Sequence, residues 1–141
     1  MKTLKSMLAG IVILFASVAA NAAVKPASTQ PSQNDVVNIY ISAITNGKTS
    51  GLDKILDDDM QFNLHQGQNV NTLNKDELIK YLADNGTANA AVNTNTTVMQ
   101  QDDASAKIKV EFKYDGYTRT DVITLNKAFG WEITSIDSTS K

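Results

Sequence analysis

Apolar residues recur at helical spacing over the first part of the chain beyond residue 33. The spacing i, i+3, i+4, i+7 predicts an amphipathic helix that starts near Asn34, with either Asn34 or Ser32 as its cap. Asn46-Gly47 is typical of a helix end. A second, short helix is predicted over residues 51–57. The apolar stripe of the first helix consists of Val36, Val37, Tyr40, Ile41, Ala43 and Ile44.

A short alternating segment and a third helix follow. Apolar and polar residues alternate over 60–65, which predicts a half-buried strand. Residues 66–71 are turn-prone. Asn74 and Glu77 then have the spacing of a capping box, so we expect a third helix that ends at Asn85-Gly86.

From residue 91 onward the period of the pattern changes from 3.6 to 2. This alternation predicts strands over 92–101, 105–114, 117–127 and 131–136, and Asp115-Gly116 indicates a tight hairpin between the second and third of them. Helices followed by a run of strands favour an α+β domain, in which the helices pack on one face of a curved antiparallel sheet.

The first 22 residues have the features of a secretory signal. Lys2 and Lys5 precede an apolar run over 7–20, and Ala20-Asn21-Ala22 fits the small-x-small cleavage rule. The run is shorter than the roughly 20 apolar residues that a membrane-spanning helix needs. We therefore expect cleavage after Ala22, no membrane attachment afterwards, and an exported product that is periplasmic or secreted.

The rest of the chain divides into three parts. Residues 23–33 contain both prolines and many small or polar residues, which is typical of a flexible lead-in. The regular pattern predicts one domain over 34–138, and 139–141 would form a C-terminal tail.

Composition excludes several classes of protein. The chain has no cysteine and one histidine, so it has no disulfide framework and too few ligands for a transition-metal site. With 13 basic against 15 acidic residues and a net charge of −2, it lacks the positive excess that nucleic-acid binding requires. No sequence motif for a cofactor is present, so neither a metal nor a cofactor is expected.

Two C-terminal segments and the order of elements resemble a known superfamily. The segments are Asp-Val-Ile-Thr-Leu-Asn-Lys at 121–127 and Gly-Trp-Glu-Ile at 130–133, and the first helix opens with Val-Val-x-x-Tyr. This pattern is similar to the nuclear transport factor 2-like superfamily, and within it to the exported bacterial subgroup named for lumazine binding. The resemblance implies a conical barrel, with three N-terminal helices on the sheet, whose pocket serves small hydrophobic ligands or dimerisation. Some members of the superfamily are enzymes.

Asp121 and His65 are the candidates for catalysis. The alternation places Asp121 on the apolar face with Ile123, together with Tyr117 and Arg119. Loss of hydration would favour a protonated carboxyl there, so Asp121 could act as a general base or hydrogen-bond donor. The alternative is a structural pair with Arg119. The same alternation directs His65 to solvent, unless a bulge turns it inward beside Asp121.

Aromatic residues complete the predicted ligand site. Tyr40 and Tyr117 carry hydroxyls that need polar partners if they are buried, so they could orient a ligand. Trp131 is interpreted first as a packing anchor and second as a ligand platform. The predicted ligand-binding residues are Tyr40, Tyr117, Arg119, Asp121 and Trp131.

Three functions remain open for this pattern. The first is an exported domain that binds a small hydrophobic or aromatic molecule. The second is an isomerase- or dehydratase-like enzyme with Asp121 as its base, and the third is an interaction module that uses the outer sheet face. That face carries Lys107, Lys109 and Lys113, which are costly to bury. We therefore expect a monomer or a weak, salt-sensitive homodimer, and a binding protein rather than an enzyme.

Overall fold

The computed structural model describes residues 30–85 and 93–141. In chain order these form α1 (Gln33–Asn46), α2 (Leu52–Ile55), β1 (Leu56–Gln66), β2 (Asn69–Leu73), α3 (Lys75–Asn85), β3 (Asn93–Gln101), β4 (Ser105–Tyr114), β5 (Tyr117–Lys127) and β6 (Trp131–Ser140). The predicted signal peptide, residues 23–29 of the predicted lead-in, the helix stop at Gly86 and the strand start at residue 92 lie outside the described residues. None of the helices in the described ranges is long and apolar enough to cross a membrane.

A reciprocal capping box starts helix α1. The Ser32 hydroxyl accepts a hydrogen bond from the Asp35 backbone N–H at 3.2 Å, and the Asp35 carboxylate accepts one from the Ser32 N–H at 3.0 Å. Of the two predicted caps, the chain therefore uses Ser32. Gly47, with a φ of 67°, ends the helix. The buried face of α1 consists of Val36, Val37, Tyr40, Ala43 and Ile44.

Helix α2 ends earlier than the pattern predicts. Helix α2 is four residues long, and β1 starts at Leu56 rather than at residue 60. Leu56 is buried and is paired with Ile133 of β6. A tertiary pairing thus extends β1 beyond the segment in which apolar and polar residues alternate.

Strand β2 is an element that the sequence did not predict. Its residues fall at and beyond the end of a segment interpreted as a turn, and they pair antiparallel with β1 from Phe62↔Leu73 to Gln66↔Asn69. Gly67, with a φ of 64°, makes the connection. Asparagine has low strand propensity, and the first four residues of β2 are exposed, so no alternation marks the strand.

The capping box of α3 is confirmed. The Asn74 side-chain oxygen accepts from the Glu77 N–H at 2.9 Å, and the Glu77 carboxylate accepts from the Asn74 N–H at 2.9 Å. Leu78 and Leu82 are buried against the core.

The predicted hairpin at Asp115-Gly116 is also confirmed. Tyr114 is paired with Tyr117, and Gly116 has a φ of 92°. Strand β6 continues to Ser140, beyond its predicted end at Ile136. The predicted domain boundary at 138 therefore falls within this strand.

The six strands form a curved, open sheet in the order β2-β1-β6-β5-β4-β3. Four neighbouring pairs are antiparallel, but β1 and β6 are parallel. This pair departs from the predicted antiparallel sheet, because hairpin signals mark local antiparallel pairings and no turn connects β1 to β6. Within residues 30–85 and 93–141, β2 and β3 are the two edges of the sheet, which does not close into a barrel wall. Three helices pack on its concave face, as predicted for the α+β class.

Alternation along the strands separates an apolar inner face from a polar outer face. On β4, Ala106, Ile108, Val110 and Phe112 are buried. Residues Ile123 and Leu125 of β5 lie in the same core. Asp121 and Ser138 are the buried polar residues on this inner face among the residues described.

Candidate functional site

Asp121, Arg119 and Tyr40 form a hydrogen-bonded cluster inside the domain. Arg119 donates from Nε to Asp121 Oδ1 and from Nη2 to Oδ2, both at 2.9 Å. The Tyr40 hydroxyl donates to Asp121 Oδ2 at 2.5 Å. The side chain of Asp121 is fully buried and that of Arg119 is 14% exposed. Both carboxylate oxygens of Asp121 are thus occupied by protein donors.

Packing and charge fix the Arg119 guanidinium. Its central carbon lies 5.7 Å from the centroids of the Phe62 and Phe112 rings, which is within cation–π range. Burial alone would lower the pKa of Arg119, but the neighbouring oxygens of Tyr40 and Asp121 outweigh it and raise that pKa. Arg119 is therefore a permanent cation in a fixed orientation.

Tyr40 is held in its neutral form. Burial first, and the Asp121 charge second, raise its pKa well above 10.0. A neutral phenol remains a hydrogen-bond donor, which is the role that the Asp121 carboxylate requires of it.

Ser138 adds an unpaired hydroxyl beside this cluster. It is fully buried and lies directly across from Asp121 on the neighbouring strand. Its Oγ has no hydrogen-bond partner within the described part of the chain.

A cavity of about 170 Å³ opens at the end of the sheet where β5 begins and β1, β4 and β6 end. Arg119 forms part of its wall. The other lining residues are apolar, aromatic or neutral polar: Ile44, Leu64, Leu82, Tyr81, Tyr114, Tyr117, Gln66, Asn85 and Ser140.

Two tyrosines form an aromatic wall on this cavity. The rings of Tyr114 and Tyr117 are stacked, with centroids 4.7 Å apart and planes 12° from parallel. They flank the β4–β5 hairpin, which fixes their separation. Burial raises the pKa of Tyr114. Tyr117 and Tyr81 are 41% and 40% exposed, so aromatic surface is accessible here.

The structure brings four of the five predicted ligand residues together. Tyr117 and Arg119 line the cavity, whereas Asp121 and Tyr40 lie behind Arg119 and hold it. Trp131 does not reach this cavity. It starts β6, whose last described residue, Ser140, is at the cavity, and a strand of that length separates its ends by roughly 30 Å.

His65 lies on the outer face of the sheet, as its alternation with Phe62 and Leu64 predicts. Its Nε2 is 3.3 Å from Asp137 Oδ1, and Asn63 donates to the same oxygen at 3.1 Å. The alternative of an inward bulge beside Asp121 is not what this strand adopts. In residues 30–85 and 93–141, no group of three or more His, Cys, Asp or Glu side chains could hold a metal ion.

Several lining residues are not among the five predicted ligand-binding residues. Asn85 was interpreted only as a helix end, and Ser140 fell in the predicted tail. Its aromatic ring makes Tyr81 a pocket candidate from the sequence, and its position three residues past Leu78 on α3 is typical of the helix face next to the sheet. Gln66 follows the predicted strand, so only the longer β1 of the structure brings it to the cavity.

Solved structures with the same fold define the class of this protein. An NTF2-like protein of unknown function from Silicibacter pomeroyi is 19% identical, with a TM-score of 0.64 over 78% of this chain and 93% of that chain. One from Methylobacillus flagellatus is 20% identical, with a TM-score of 0.59 over 77% and 88%. An NTF2-like protein from Cytophaga hutchinsonii is 17% identical, with a TM-score of 0.57 over 79% and 100%. The fold is NTF2-like.

A family model narrows the class. The model described as "Putative lumazine-binding" matches residues 30–135, and the chain belongs to this family. A search of curated protein sequences finds no significant match.

Proposed function

We propose that this protein binds a small, planar heterocycle that bears both carbonyl oxygens and N–H groups, of the type represented by lumazine. The family to which the chain belongs supports a ligand-binding domain. The observation that carries the proposal is the pattern of hydrogen bonds made by the Arg119 guanidinium. Its Nε and Nη2 are used by Asp121 and Tyr40, which leaves Nη1 without a protein partner in the ranges described. Those N–H groups are available to a carbonyl oxygen in the cavity.

The rest of the cavity supports the same ligand class. Tyr117 and Tyr81 offer exposed ring surface against which a flat ligand can stack. Gln66, Asn85 and Ser140 can each donate and accept hydrogen bonds, which suits a ring that carries both kinds of group. A volume of about 170 Å³ is below the roughly 300 Å³ at which pockets for drug-sized molecules begin. A ligand of one or two rings is therefore favoured.

Binding is favoured over the isomerase alternative by the environment of Asp121. A general base must lie within hydrogen-bond reach of the proton that it removes. Asp121 is fully buried, and both of its oxygens already accept hydrogen bonds from Arg119 and Tyr40. Its role is to hold Arg119 in position.

Truncating the aromatic wall tests the proposal. Tyr117→Ala removes an exposed stacking surface, so the Kd for lumazine should rise by about tenfold, in line with roughly 1–3 kcal/mol per aromatic stack on a base. Phe129→Ala is the matched control, because Phe129 is 86% exposed and is not among the residues that line the cavity. Lumazine fluorescence measures both affinities. Equal affinities for Tyr117→Ala, Phe129→Ala and the unmodified protein would contradict this site.

We also propose that the protein is exported and cleaved after Ala22. The basic start, the apolar run over 7–20 and Ala20-Asn21-Ala22 support export. Protein recovered from the cell envelope or medium should have the intact mass of a chain that begins at Ala23. If most molecules there retain Met1, the proposal is wrong.

A further inference from the structure

In the part of the chain that the structure describes, strand β3 forms an edge of the sheet and is exposed along its whole length. It pairs with β4 on one side, and all nine of its residues are exposed. The strand reads Asn-Thr-Asn-Thr-Thr-Val-Met-Gln-Gln, with no charged residue and no proline. Val98 and Met99 are 53% and 54% exposed.

Such an edge lacks most of the features that normally prevent pairing between molecules. The backbone N–H and C=O groups on the outward side of an edge strand are unpaired, and proteins protect them with charges, prolines, bulges or short strands. In β3 the only such device is the irregularity between Val98 and Gln100. Residues 93–98 pair regularly with β4 and leave a continuous hydrogen-bonding edge.

We propose that β3 pairs antiparallel with β3 of a second copy of this chain, about a two-fold axis, so that the two sheets become one. Two identical strands match in length. An antiparallel pair also places outer-face residues against outer-face residues, here the short neutral side chains Asn95 and Thr97. The exposed Val98 side chains lie on the opposite face of each strand, and with Asn95 across from Thr97 each Val98 lies across from Thr94 of the second copy.

The charges of the outer face favour an edge contact over a face contact. Lys107, Lys109 and Lys113 lie on β4, directly across from β3 residues. In an edge pair, three inter-strand spacings separate the two β4 strands, or about 14 Å. This distance exceeds the Debye length of about 8 Å at physiological ionic strength, so the lysines of the two copies scarcely repel. A face-to-face dimer would have to cover them.

The size of the contact predicts a weak dimer. A single strand pair buries less than the roughly 1,200 Å² of a standard specific interface. We therefore expect a Kd in the micromolar range or weaker. Because the contact is uncharged, the Kd should change little with salt, unlike that of a dimer formed through the lysine-bearing face.

Two double variants with equal added charge test the proposal by sedimentation equilibrium. Asn95→Lys with Thr97→Lys puts like charges across the proposed seam and should raise the dimer Kd at least about tenfold. Thr120→Lys with Ser135→Lys puts the same charge on the outer face of β5 and β6 and should leave the Kd unchanged. Circular dichroism checks that both variants fold.

A measurement on the unmodified protein complements the variants. Amide hydrogen exchange in residues 93–98 should slow as protein concentration rises, while exchange in β2, the other edge, should not change. Loss of dimer in the Thr120→Lys/Ser135→Lys variant alone would assign the contact to the outer face and overturn the proposal. A protein that stays monomeric to about 1 mM, or exchange at 93–98 that is independent of concentration, would also overturn it.

Discussion

Asp121→Asn is expected to lower the free energy of unfolding by about 3–5 kcal/mol, because it removes one partner of a buried ion pair. The substitution leaves the Arg119 charge at 14% exposure without its counter-ion. It also replaces one of the two carboxylate oxygens with an amide N–H₂ group that cannot accept from Arg119 or Tyr40. Urea denaturation followed by circular dichroism measures the loss.

Asp137→Asn provides the matched control for this prediction. It is the same chemical change at a carboxylate that is 49% exposed and contacts His65 and Asn63 on the outer face. Exposed pairs contribute about 0–1 kcal/mol, so this variant should remain close to the unmodified protein. If the two variants lose equal stability, the Asp121 cluster does not have the structural role assigned to it.

Stability should fall steeply above about pH 10, and Tyr40→Phe should remove much of that fall. Burial, followed by the Asp121 charge, raises the pKa of Tyr40 in the folded protein above the 10.0 of an exposed tyrosine. Above that pH the unfolded chain releases a proton that the folded chain keeps. Unfolding is then favoured by about 1.4 kcal/mol for each pH unit until the folded pKa is reached.

The measurement is urea denaturation at several pH values between about 9 and 12. Tyr40→Phe should be less stable than the unmodified protein at neutral pH, since it loses a hydrogen bond, but should show a shallower decline above pH 10. Some decline should remain, because burial also raises the pKa of Tyr114. Tyr81→Phe, at an exposed position, should show the same decline of stability with pH as the unmodified protein. Parallel curves for Tyr40→Phe and the unmodified protein would contradict the burial of this phenol.

Local signals predicted most of the fold. The capping box of Asn74 and Glu77 and the hairpin at Asp115-Gly116 depend on residues close in sequence, and both are confirmed. The early start of β1 at Leu56, the polar edge strand β2 and the parallel β1–β6 pair depend on partners far along the chain. Periodicity within a short window contains no information about such partners.

The site was predictable where alternation on one strand defined it. Alternation along β5 placed Tyr117, Arg119 and Asp121 on one face, and the interpretation of Asp121 as a partner of Arg119 agrees with the contacts. The contribution of Tyr40 to that pair was not predictable, because it joins residues 81 positions apart. Trp131 packs against the core, but it lies at the end of β6 that is far from the cavity. Alternation assigns a residue to one face of the sheet and does not show at which end of the strand a cavity lies.

The most direct test of the proposed ligand site is an NMR titration of the isotope-labelled protein with lumazine. We expect saturable shift changes at the backbone amides of Tyr117, Arg119 and Ser140, together with the Arg119 side-chain N–H signals. These groups line one cavity and are contributed by two neighbouring strands. Shift changes confined to residues outside that cavity, or none at millimolar lumazine, would show that the ligand does not bind at this site.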